Sequence, residues 1–121
     1  YTDIGALAAK ENNRATVMVW SYHDDDRSIE EETEVDVRIT GVPARQITIT
    51  EYRIDREHAN SYEAWKKMGS PQSPTAAQIK ELEDASELKT TGKGKKMVND
   101  SNVGLSIKLP RQGVLLLCVD W

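Results

Sequence analysis

Alternation of apolar and polar side chains marks most of this chain as strand. Val35, Val37 and Ile39 alternate with Glu34, Asp36, Arg38 and Thr40, the period of two that gives a strand one buried and one wet face. Residues 14–22 place Val17, Met18, Val19 and Trp20 in succession. With both parities apolar, this segment reads as a central strand covered on both faces, with Trp20 in the core. Leu105, Ile107 and Leu109 alternate with Ser106 and Lys108, a turn follows at Pro110-Arg111-Gln112-Gly113, and residues 114–119 form the most apolar strand of all. Residues 3–9 offer only Ile4 and Leu7 as large apolar side chains, which suits an edge. Over residues 46–54 the apolar parity moves from Ile47 and Ile49 to Tyr52 and Ile54, and a bulge near Thr50 or Glu51 is the expected cause. Residues 87–91 and 95–98 predict two more short strands, with a tight turn at Gly92 and Gly94 between them.

The middle of the chain has a different period. Asn60 stands three residues before Glu63, Tyr62 and Trp65 share a helical face, and Gly69 supplies a stop, so residues 61–68 predict a short helix. The Ser70-Pro71-Gln72-Ser73-Pro74 run cannot continue it. Thr75 with Gln78 forms a capping box, and Ile79, Leu82 and Ala85 lay an apolar stripe on a second helix ending near residue 85. The fold class predicted is therefore mainly β: an antiparallel β-sandwich of seven or eight strands, a single domain over residues 1–121, with a two-helix insertion at about residues 57–86.

Composition narrows the function more than the fold. A net charge of −4 argues against nucleic acid, whose phosphates need a basic face. Lys93, Lys95 and Lys96 read as a solvated turn. No apolar run reaches membrane-spanning length, and a soluble domain with no membrane partner is expected. Cys118, alone and inside an apolar run, reads as a buried inert thiol. The chain opens on Tyr1 without an initiator Met and closes on Trp121 straight after a strand, which suggests a domain of a longer protein.

Candidate chemistry is sparse. The chain holds 20 acidic residues, but a glycosidase pair needs two carboxyls about 5 to 9 Å apart across a cleft, a geometry that abundance does not supply. The Glu30-Glu31-Glu32 run reads as solvated surface. Asp24, Asp25 and Asp26 read first as caps of a hairpin turn and second as ligands for a hard cation. The two histidines, His23 and His58, lack partners at zinc-ligand spacing, and no cofactor motif occurs. Trp65, on the inserted helix, suits docking to another domain, local packing or contact with a sugar.

Several stretches are not what strand or helix physics alone would generate. They are Tyr52-Arg53-Ile54-Asp55, Glu57-His58-Ala59-Asn60-Ser61-Tyr62, Trp65-Lys66-Lys67-Met68-Gly69-Ser70-Pro71-Gln72 and Pro74-Thr75. Together with Val19 through Asp26, Gln78 through Glu83 and Leu109 through Val114, they resemble, in order, the C-terminal region of glycoside hydrolase family 39 β-xylosidases. The resemblance implies a parent enzyme with a catalytic (β/α)8 barrel followed by a β-sandwich, releasing xylose from xylo-oligosaccharides with retention. Its acid/base glutamate belongs to an Asn-Glu-Pro motif in the barrel. That motif is absent here, and a barrel takes about 250 residues, so no catalytic residue is expected in this chain. It also implies that the sandwich packs on the parent barrel, with His58, Tyr62, Trp65 and Met68 as candidate inter-domain contacts. A sandwich of this kind can borrow a strand from the start of the full chain, which would leave an open edge here and a tendency to self-association. The competing expectation is an autonomous carbohydrate-binding module for xylan-type sugars, which needs coplanar exposed aromatics.

Overall fold

The computed structural model describes residues 3–23 and 32–121. Among these, seven strands and two helices follow the chain as β1 (Ile4–Glu11), β2 (Arg14–Ser21), β3 (Glu32–Ile39), β4 (Gln46–Ile54), α1 (Ser61–Lys67), α2 (Ala76–Ser86), β5 (Thr90–Met97), β6 (Val103–Pro110) and β7 (Val114–Asp120). The fold is a mainly β, two-layer sandwich with a helical insertion between β4 and β5, as the alternation predicts. One sheet runs β1-β2-β7-β4-β5 and the other is the β3-β6 pair, every pairing antiparallel.

The core lies where the inward parities of the two sheets meet. Val17 and Val19 of β2, Leu115, Leu117 and Val119 of β7 and Ile47 of β4 face Val103, Ile107 and Leu109 of β6, with Val35, Val37 and Ile39 of β3 packed alongside. Leu115 and Val119 are 0% exposed. Each such side chain contributes roughly 1.5–3 kcal/mol by leaving water, and the strict alternation in β7 explains why its odd-numbered residues take that role.

Several details depart from the sequence reading, each for a physical reason. Residues 90–97 form one continuous strand paired to β4, so Gly92 and Gly94 lie within it and the basic cluster Lys93, Lys95 and Lys96 is on an edge strand rather than in a turn. The tight turn sits later, at Asp100 and Ser101, which adopt φ of 50° and 62° while Asn99 and Asn102 exchange backbone hydrogen bonds. Positive φ at both central residues is what a type I′ turn requires. A bulge does fall at Glu51/Tyr52, but only against β5. Against β7 the register is unbroken, so Tyr52 pairs with Leu116 and Ile54 with Val114 on the outer face. The parity shift reflects an apolar outer face, not a strand that turns over.

Trp20 belongs to that face too. It is half-buried, not in the core, and lies across β1 at Gly5, where a Cβ would come within 2.4 Å of the indole. Cys118 is likewise half-buried on the outer face, between Thr16 and Thr50, rather than in the core. The Glu30-Glu31-Glu32 run lies outside the described residues except for Glu32, which is exposed at the start of β3.

Candidate functional site

The insertion, residues 55–89 between β4 and β5, begins in a turn organised by one carboxylate. Asp55 Oδ1 accepts from the Glu57 amide at 2.9 Å and lies 2.7 Å from His58 Nδ1, while the Asp55 amide donates to the His58 carbonyl at 3.1 Å. Asn60 Nδ2 donates to the Asp55 carbonyl, and its Oδ1 accepts from the Glu63 amide at 3.0 Å, which caps α1. Ala59 takes φ of 51° between them. With Nδ1 engaged by Asp55, His58 has Nε2 left to offer outward.

On α1 the rings of Tyr62 and Trp65 stack with centroids 5.9 Å apart at 28°, and Lys66 Nζ stands 4.9 Å from the Tyr62 centroid. Lys66 also pairs with Glu63 at 3.0 Å. Trp65 Nε1 donates to the Pro71 carbonyl at 2.9 Å, and the Ser70 amide returns to the Trp65 carbonyl, so the Gly69–Pro71 turn folds back under the helix. Met68 is the C-cap residue and is half-buried. The second helix starts at the expected capping box, with the Gln78 amide donating to Thr75 Oγ1 and the Thr75 amide to Gln78 Oε1.

The four sequence-derived candidates thus fall into two groups joined through Asn60: His58 in the Asp55 turn, and Tyr62 and Trp65 in the ring pair with Met68 closing the helix. Neither helix contains a buried residue, and Tyr62 is 61% exposed. The helices pack chiefly on each other, which gives the insertion a half-covered seam in place of a core.

An apolar cleft of about 370 Å³ opens between β1 and β3, over Ala8, Ala15, Val17, Val37, Ile39 and Trp121, and its lining includes neither Asp nor Glu. At the end of β2, His23 Nδ1 lies 3.1 Å from Asp3 and Nε2 lies 3.4 Å from Ser21 Oγ, the order of a nucleophile relay that spacing alone did not suggest. Ser21 is only 4% exposed, so its hydroxyl is a buried polar group satisfied by the ring and is not presented to a substrate. Asp24, Asp25 and Asp26 lie outside the described residues, among which no cluster of His, Cys, Asp and Glu has metal-binding geometry.

Comparison with known proteins places the domain. The family described as glycosyl hydrolases family 39 matches residues 2–102. The chain belongs to glycosyl hydrolase family 39. A β-xylosidase of Caldicellulosiruptor saccharolyticus is 29% identical over 111 residues, covering 92% of this chain and 22% of that protein. Two crystal structures share the fold at low identity. The family 39 enzyme from Xanthomonas axonopodis pv. citri superposes with a TM-score of 0.82 at 18% identity, covering 95% of this chain and 25% of that one. A monomeric β-xylosidase from Caulobacter crescentus CB15 gives 0.81 at 16%, covering 95% and 26%. This family 39 chain therefore spans about a quarter of the length of its relatives. No described helix is long and apolar enough to cross a membrane.

Proposed function

We propose that this family 39 chain is a non-catalytic β-sandwich domain that packs on and supports the catalytic barrel of a β-xylosidase-type parent. The observation that carries the reading is its extent: the two-layer sandwich of this chain corresponds to only 22–26% of each relative, and a (β/α)8 barrel has no room in it. The insertion without buried side chains points the same way, since it lacks the cover that an adjoining domain would provide. Fold likeness alone does not assign a role, so the test is functional. The full-length gene product, produced with and without this segment, is assayed on nitrophenyl xyloside and by thermal melting. Loss of this segment is expected to lower the melting temperature of the remaining enzyme and its activity. An equally stable and active remainder would overturn the supporting role.

A carbohydrate-binding role competes with this reading. It calls for a flat aromatic platform, whereas the exposed Tyr62 ring already has Trp65 and Lys66 against it. Affinity electrophoresis of the chain on xylan should show unchanged mobility; clear retardation would favour sugar binding instead.

A further inference from the structure

The outer face of the five-stranded sheet changes character along the strands. Antiparallel register sets its side chains in cross-strand rows. The row at the end where β4 leads into the insertion is Gly5, Trp20, Val114 and Ile54, and the next is Leu7, Met18, Leu116 and Tyr52. Then come Ala9, Thr16, Cys118 and Thr50, and after them Glu11, Arg14, Asp120 and Thr48. The far row carries an exposed ion pair, Arg14 Nε to Asp120 Oδ1 at 2.6 Å, and hydrogen bonding to that carboxylate raises the Arg14 pKa. So two rows are apolar across four strands, and the face turns small and polar, then charged, over the next two.

A sheet face that meets water throughout shows polar residues throughout. Here Leu7 is 63% exposed and Ile54 44%, at opposite sides of a band whose centre is Met18, Trp20 and Leu116. A contiguous apolar band that stops at a polar boundary marks a surface made to be covered. β3 and β6 pack on the other face of the sheet, and the helices pack chiefly on each other, so no described helix runs close along these rows.

We propose that these two apolar rows are the seat of the catalytic barrel. The inference rests on the domain reading above and names the surface by which that reading operates. Its occupant follows from extent and position. Most of each family 39 relative lies outside the region matched here. The apolar rows end at Ile54, where the chain leaves the sheet for the insertion, so one partner can cover both unfinished surfaces. A (β/α)8 barrel is ringed by helices, whose side-chain ridges pack on an apolar sheet face of this kind.

Hydroxyl-radical footprinting compares the full-length gene product with the 121-residue chain. Leu7, Met18, Trp20 and Tyr52 should oxidise several-fold more slowly in the full-length protein, while residues of the far row such as Arg14 label alike in both. Leu7→Glu, at an exposed edge position, should restore labelling of its row in the full-length protein, and Thr48→Glu should not. If a barrel is encoded and the two rows label as fast as in the isolated chain, the seat is wrong and the domain reading stands. If no barrel is encoded, the domain reading itself falls, and this inference with it. Protection that appears in the isolated chain and grows with its concentration would assign the rows to a second copy and overturn the proposal.

Discussion

Parity decides what each residue of β7 does. Leu115 is fully buried between the sheets, whereas Leu116, its neighbour, is half-buried on the outer face beside Met18 and Tyr52. Leu115→Ala should therefore cost about 2–5 kcal/mol in urea unfolding, and Leu116→Ala distinctly less in the isolated chain; equal losses would contradict the assignment of faces. Gly5 makes a second test at this scale. A methyl there meets the Trp20 ring, so Gly5→Ala should displace the indole, costing about 1–3 kcal/mol by overpacking, with a change in near-ultraviolet circular dichroism. An unchanged spectrum and melting curve would mean that Trp20 does not lie on Gly5. Trp20 and Cys118 were the residues hardest to place from sequence. An apolar side chain in a run that is apolar at both parities gives no sign of which face is the core and which awaits a partner.

At the scale of elements, alternation and capping chemistry were legible and pairing was not. β3 and β7 follow their patterns, and both helix starts follow from Asn60 with Glu63 and from Thr75 with Gln78. In sequence β5 reads as two strands because glycine signals turns, and only pairing with β4 shows it to be one. The β3-β6 pair has two free edges among the described residues, and they differ. Lys96 Nζ and Arg53 Nη1 donate to the Gly104 and Lys108 carbonyls, which occupies the β6 edge. The even-numbered residues of β6 thus face away from β3, so in the alternating antiparallel ladder Glu34, Asp36 and Arg38 turn their backbone groups to the open β3 edge. An added strand, from the parent or from a second copy, would pair there, over the apolar cleft. Arg38→Pro removes one outward N–H and should reduce self-association of the isolated chain in sedimentation experiments. Undiminished association would place the contact elsewhere. Thr75→Ala should weaken α2 by about 0.5–2 kcal/mol, read as faster amide exchange across residues 76–86 with β7 unaffected.

For the whole molecule, the sandwich and its insertion came from periodicity, and the family came from sequence peculiar to the insertion and its flanks. The apolar outer rows connect the two, because they give a sheet that is finished on one side and unfinished on the other. What periodicity does not show is which apolar parity of β2 and β4 faces the core and which the outer rows. The most direct measurement is release of nitrophenol from nitrophenyl xyloside by the purified 121-residue chain. No release above the buffer blank is expected at any protein concentration. Saturable turnover proportional to the amount of chain would contradict it.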